Sequence, residues 1–197
     1  MTIKALFVDL GGVLIINNGK AISDKFETEH GLKKQDIQEI FRFIQTSNRT
    51  EQELDVYIAG KGINRKLWDS FTATFFHSER RNDALYRILK EARSRGILIV
   101  YTTNNSAALE AIIDKFAIRD VVDIVINSSA AGVAKPDTNF WQLSLDETRK
   151  LLPDISPDEI LVLDDSEANC ISAKKIGLTV VIYKVGIADA EIIEYIH

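Results

Sequence analysis

Four separated clusters of residues in this chain carry groups suited to phosphoryl chemistry. Asp9 follows an apolar run and precedes Gly11-Gly12, so its carboxylate is expected at a strand end, beside backbone that can approach a ligand closely. A carboxylate so placed can attack a phosphoryl group and form an aspartyl phosphate, which splits one difficult hydrolysis into two easier steps. An Asp that merely opens a glycine turn is the structural alternative. Asp164-Asp165 ends another apolar run. Two adjacent carboxylates there are costly unless a cation compensates them, and hard oxygen ligands suit Mg²⁺. Behind them, Ser166 and Glu167 fit a helix cap and a first-turn acid. Thr103-Asn104-Asn105 offers a hydroxyl, amides and backbone N–H groups to phosphate oxygens, or an ordinary helix cap. Lys135 precedes Pro136, which favours extended backbone there and a helix just beyond. Alone it reads as solvated surface. Opposite Asp9, Asp164 and Asp165 it would moderate their repulsion and stabilise charge on a transferring oxygen.

The elements that must bring these clusters together are short apolar runs rich in β-branched residues. Ile3 to Val8, Ile97 to Tyr101 and Ile160 to Leu163 read as buried strands, with weaker ones at Val122 to Ile126 and Thr179 to Ile182. Continuous rather than alternating runs belong to a sheet covered on both faces. Helical patterns lie between them at Ala107 to Phe116, Asn139 to Leu151, Glu167 to Ile176 and Ala188 to Ile196. The pattern predicts an α/β fold, a doubly wound parallel sheet whose ligands sit outside the carboxyl ends of the strands. Asp9, Thr102 to Asn105 and Asp164-Asp165 fall at such ends.

Residues 16–78 differ in character. They contain no convincing strand, and Ile37, Ile40, Phe41 and Ile44, then Leu67, Phe71 and Phe75, recur at helical spacing. Asn17-Asn18-Gly19 and Gly60-Lys61-Gly62 are turn signals. A crossover this long predicts an inserted helical cap perched over the strand ends, with residues 1–15 and 79–197 forming the core.

Composition excludes several classes. Among 197 residues, 24 Lys+Arg against 29 Asp+Glu give a net charge of -5, so no basic field is available to hold nucleic acid. One cysteine, Cys170, allows no intramolecular disulfide, and there is no Cys/His cluster for zinc. The start turns acidic at Asp9, too early for a signal-peptide apolar region, and no run reaches the ~20 residues of a membrane span. The expectation is a cytoplasmic protein that does not engage membranes.

The ordered set Phe7-Val8-Asp9-Leu10-Gly11-Gly12-Val13-Leu14, Thr103-Asn104-Asn105, Lys135-Pro136-Asp137 and Leu163-Asp164-Asp165-Ser166-Glu167-Ala168-Asn169 resembles the four motifs of the haloacid dehalogenase-like (HAD) hydrolase superfamily, across essentially the whole chain. The insertion between the first two motifs is similar to the helical cap of subfamily I. The stretch from Asp164 to Gly177 is similar to the branch holding sugar-phosphate phosphatases and the phosphatase domain of soluble epoxide hydrolases. The resemblance implies a Mg²⁺-dependent phosphatase acting on a small phosphorylated metabolite, as a monomer or homodimer. It implies Asp9 as nucleophile, Thr103 and Lys135 on the phosphoryl group, and Gly11, Gly12 and Asn104 beside the substrate. It also implies Mg²⁺ held by Asp9, the Gly11 carbonyl, Asp164 and Asp165. The chain departs from the family at Gly11, where most phosphatases carry a second Asp as general acid and base. Such a group typically contributes ~10²- to 10⁴-fold. A water held by Asp164 or Asn104, or a cap residue such as His77 or Glu79, are the candidate replacements.

Two other readings follow from the same residues. A protein that binds a phosphorylated metabolite or partner with little turnover would explain Gly11. A dehalogenase also lacks the second Asp, but two anions without a metal would repel its substrate. Phosphonate cleavage would need a cap lysine such as Lys61 or Lys66. His30 and His77 read as surface residues, and Cys170, Trp68 and Trp141 as packing residues. Phe71, Phe75 and Phe76 suit either a pocket or helix packing.

Overall fold

A computed structural model describes residues 2–197 of the chain. In chain order it contains β1 (Ala5–Val8), β2 (Ile15–Ile16), α1 (Gly19–His30), α2 (Lys34–Gln45), α3 (Glu51–Gly60), α4 (Arg65–His77), β3 (Arg80–Arg81), α5 (Asp83–Ser94) and β4 (Leu98–Thr103). There follow α6 (Leu109–Lys115), β5 (Ile124–Asn127), α7 (Ser128–Ala131), α8 (Thr138–Arg149), β6 (Ile160–Asp164), α9 (Glu167–Lys174), β7 (Thr179–Ile182) and α10 (Asp189–Ile196).

Five parallel strands lie in the order β5-β4-β1-β6-β7. Buried strands alternate their side chains between two faces. Leu6 and Val8 join Leu85 and Leu89 of α5, Ile113 of α6 and Ile192 of α10. Ala5 and Phe7 face the other way, with Phe140, Trp141 and Leu145 of α8 and Ala173 of α9. Each fully buried Leu or Phe in these layers contributes about 1.5–3 kcal/mol relative to exposure. The double winding expected from the continuous apolar runs is what forms. From β1 the chain moves to β4 and β5 on one side, then crosses to β6 and β7 on the other, so the switch point lies between the ends of β1 and β6.

Helices α1 to α4 occupy the space between β2 and β3, which pair antiparallel through Ile15 with Arg81 and Ile16 with Arg80. Their apolar stripes close on one another in a separate cluster of Phe26, Ile37, Ile40, Ile58, Trp68 and Phe71. Thr50 and Glu53 form a capping box at α3, and the Asn64 side chain caps α4. The C-terminal end of α2 rests on the sheet rim, where the Ser128 hydroxyl donates to the Gln45 carbonyl.

Two features differ from the sequence reading. The segment expected to lack strands begins with the two-residue β2, whose partner β3 is 64 residues away, between Ile16 and Arg80, so no local pattern announces it. Helix α5 also went unread, although its Leu85, Ile88, Leu89 and Ala92 stripe is buried. Among the described residues no helix is long and apolar enough to cross a membrane.

Candidate active site

Register explains how distant residues meet. Val8 of β1 stands beside Tyr101 of β4 and Leu163 of β6. One step further along the chain, Asp9 is level with Thr102 and Asp164, and its N–H donates to the Leu163 carbonyl at 2.9 Å. Adjacent strands are ~4.8 Å apart, so two carboxylates become neighbours although 154 residues lie between Asp9 and Asp164.

The cation between them comes from the loop joining α7 to α8. Lys135 Nζ lies 3.1 Å from Asp9 Oδ1 and 2.6 Å from Asp164 Oδ2, and donates to the Thr102 carbonyl at 2.8 Å. Its side chain is 1% exposed. Asn104 anchors the lysine: its Oδ1 accepts the Lys135 N–H at 2.9 Å and its Nδ2 donates to the Lys135 carbonyl at 2.9 Å. The Asn104 amide thus positions Lys135 with one N–H and one oxygen lone pair, while its second N–H remains on the side of the cleft that Asn104 lines.

Asp164 is wholly buried and its oxygens are occupied. Oδ1 accepts from the Ser166 N–H at 3.0 Å and from Asn169 Nδ2 at 2.9 Å, while Oδ2 takes Lys135. It has little capacity to hold a catalytic water as well. Asn169, one turn into α9, was quoted in the fourth motif but given no role, and it orients this carboxylate. Ser166 caps α9, accepting the Asn169 N–H, so neither acid is needed as a cap.

The glycines divide. Gly11 is exposed in the cleft, and a Cβ built there meets nothing within 4 Å. Gly12 has φ +81°, and a Cβ there would lie 2.2 Å from Asp165 Oδ2. Its N–H donates to the Ile15 carbonyl at 2.8 Å. Gly12 therefore makes room for Asp165, and its amide is not offered to substrate, contrary to the role first given it. Gly12→Ala is expected to cost about 1–2 kcal/mol from backbone conformation alone and to push Asp165 aside. Denaturant unfolding of the variant against the parent protein checks this.

Asp9, Asp164 and Asp165 each offer a carboxylate oxygen, all within 4.8 Å of one another. Such a hard, all-oxygen donor set fits Mg²⁺ in charge and ligand type. Burial pushes the Asp9 carboxyl up to about 7; Lys135 opposes the rise and Asp164 and Asp165 add to it. Burial also raises Asp165, with Asp164 adding. For Lys135, burial acts to lower the pKa, but Asp9 and Asp164 outweigh it and the net shift is upward, so the ammonium stays charged. Asp9 Oδ1 is held by the Leu10 N–H at 2.7 Å and by Lys135, whereas Oδ2 has no hydrogen bond among the described residues.

These groups form one wall of a cleft of about 840 Å³ between the sheet rim and the helical group, lined at the rim by Asp9, Gly11, Thr103 and Lys135. From the helices come Gln38, Arg42 and Gln45 of α2, together with Phe75 and Phe76 of α4. The sequence reading passed over the α2 residues, although their i, i+4, i+7 spacing marks a single helix face. Phe71 is fully buried in the helical cluster instead. Trp68 and Trp141 are packed as expected, Trp141 donating to Ser172 Oγ at 2.7 Å, and Cys170 is buried. His30 and His77 are exposed, and His77 lies outside the cleft while Glu79 lines it. Lys61 is engaged by Glu39 and Asp36, and neither it nor Lys66 lines the cleft, so neither of these two lysines is placed for an imine mechanism there.

The chain shares 41% identity over 56 residues with a phosphatase of Mycobacterium tuberculosis, covering 27% of this chain and 26% of that protein. It shares 29% identity over 96 residues with the ribulose-1,5-bisphosphate 5-phosphatase of Halopiger xanaduensis, covering 48% of this chain and 38% of that one. The matches thus span well under half the length of these curated relatives. Among solved structures, a magnesium complex of a HAD family enzyme from Bacteroides thetaiotaomicron superposes with TM-score 0.75 at 22% identity, covering 94% of this chain and 96% of that one. A predicted HAD-like family hydrolase from Porphyromonas gingivalis gives TM-score 0.77 at 18% identity, covering 98% of both chains. At these identities the structures report a shared fold. The sequence model of the haloacid dehalogenase-like hydrolases matches residues 3–177, and the chain belongs to that family.

Proposed function

We propose that this hydrolase is a Mg²⁺-dependent phosphatase that cleaves a small phosphate monoester, of the sugar-phosphate kind, through an aspartyl phosphate on Asp9. The observation that carries the reading is the placement of Lys135 between Asp9 and Asp164 at the switch point, on the wall of a roofed cleft. The phosphatase relatives and the magnesium complex of a neighbour support it.

Asp9 Oδ2, free of hydrogen bonds, attacks phosphorus in line, and the bond from phosphorus to the ester oxygen breaks. Lys135 and the Thr103 hydroxyl hold phosphoryl oxygens. Asp9, Asp165 and the Gly11 carbonyl would hold Mg²⁺ with Asp164 assisting, and the ion when bound supplies positive charge against the phosphoryl oxygens. The departing oxygen takes a proton, water then attacks phosphorus, and inorganic phosphate leaves with the Asp9 carboxylate regenerated. Residues 16–78 act as the cap that excludes bulk water and selects the leaving group, over a core of 1–15 and 79–197.

With Gly11 where an acid is usual, the departing oxygen has no charged donor at that position. Space is available, since a side chain there meets nothing nearby. Gly11→Asp is therefore expected to raise kcat on the order of 10²-fold for esters with poor leaving groups, with a smaller gain for p-nitrophenyl phosphate. Phosphate release from sugar, nucleotide and acyl phosphates, with and without Mg²⁺, tests the function itself. Mg²⁺-dependent release supports the phosphatase. Tight phosphate-ester binding with no release over hours would instead assign a binding role, the reading that Gly11 favours.

A further inference from the structure

We propose that the substrate carries a second anionic group, remote from the phosphoryl group that is transferred, and that Arg42 on the cleft roof receives it. The inference rests on the phosphatase reading for the site floor and extends it to the substrate's far end. Five charged side chains line the cleft: Asp9, Glu79, Asp137, Lys135 and Arg42. Four are committed. Lys135 is held by Asp9 and Asp164, Glu79 is paired with Lys115 at 3.4 Å, and Asp137 caps α8 by accepting the Asn139 N–H. Arg42, which is exposed, alone forms no ion pair or hydrogen bond among the described residues; its charge is felt by Glu39 on the same helix, but that carboxylate is bonded to Lys61.

An unpaired guanidinium in a cleft is a ready bidentate receptor for a phosphate or carboxylate. Gln38 and Gln45 flank it one turn either side on the same face of α2, and their side chains likewise make no hydrogen bond among the described residues. Two free amides around one free cation suit a hydroxylated chain ending in an anion. The cleft, about 840 Å³, lies within the range that houses whole small ligands. Its floor already accounts for one phosphoryl group, so a cation on the roof serves a different charge. That charge is either a second phosphate or a carboxylate, which Arg42 would recognise by the same fork of donors.

The test compares wild type, Arg42→Gln and Arg42→Lys on fructose 1,6-bisphosphate against fructose 6-phosphate and fructose 1-phosphate, and on 6-phosphogluconate against glucose 6-phosphate. Wild type should prefer at least one doubly anionic compound in kcat/KM. The bisphosphate and sugar-acid arms tell which anion is read. Arg42→Gln should lose about 10- to 100-fold on the preferred compound while monophosphates change less than about threefold, and Arg42→Lys should retain part of the preference. Equal losses on monophosphates and doubly anionic compounds, or no preference in wild type, overturn the inference. If wild type releases phosphate from none of them, calorimetric binding of the same compounds decides. An Arg42-dependent preference for a doubly anionic compound upholds the inference while removing the phosphatase reading, and its absence overturns the inference.

Discussion

An Asp9→Asn variant is expected to lose Mg²⁺-dependent phosphate release by at least about 10³-fold while folding no less stably than the parent. The two effects have one cause. Burial pushes the Asp9 carboxyl up to about 7, so the charged form that the proposed attack on phosphorus requires is disfavoured by its surroundings. A raised folded-state pKa means stability present at low pH and lost as pH rises through that value. At pH 8, without metal, the ionised Asp9 is a liability that the neutral, nearly isosteric amide removes. Asparagine keeps an oxygen to accept the Leu10 N–H but cannot form the acyl phosphate. Phosphate release, together with urea unfolding at pH 8 in a chelator, checks both halves. A residue of purely structural importance would lose stability on substitution.

The second large effect is on folding. Lys135→Met fills the same channel without charge, leaving the wholly buried Asp164 and the largely buried Asp9 side by side without their cation. Removing one partner from such a buried arrangement costs about 3–5 kcal/mol, and catalysis falls with it. Lys135 is the group that holds the Asp9 pKa down against burial, so its loss raises that pKa further. The deficit should therefore grow from pH 5, where Asp9 is protonated with or without Lys135, to pH 8, where the parent's Asp9 ionises beside Lys135 and the variant's resists ionisation. Adding Asp164→Asn to Lys135→Met should recover part of the stability, because one of the two stranded charges disappears. Denaturant unfolding of the single and double variants in a chelator at both pH values checks the sign. A deficit that does not change with pH would show that Lys135 acts through packing, for instance against the Trp141 ring 5.7 Å from its Nζ.

Much of the fold was legible because the signals are local. Continuous apolar runs such as Leu6 to Val8 and Leu161 to Leu163 carry their own evidence of burial on both faces, and Asp9, Thr103 and Asp164 stand at their ends. The site's acids and its lysine were readable by residue type and placement. What could not be read is which polar atoms are already spent. Asn104 looks like a phosphate ligand in the sequence, and only the loop from α7 to α8 laid against it shows its amide bonded to the Lys135 backbone. Gly12 looks like a ligand-approach glycine, and only the packing of Asp165 shows what it makes room for. Asn169 acquires its role from the geometry of the first turn of α9. Arg42 lies on the polar side of a helix whose apolar stripe was recognised. Arg42 is exposed, and that the cleft lies beside it depends on how α2 docks on the rim through Gln45 and Ser128.

The most direct test is the covalent state of the nucleophile during turnover. Protein mixed with acetyl phosphate and Mg²⁺, quenched in acid and digested, should yield the peptide containing Asp9 with one added phosphoryl group, absent from Asp9→Asn. Release of inorganic phosphate with that peptide unmodified, or with the phosphoryl group on another residue, would contradict Asp9 as the attacking group.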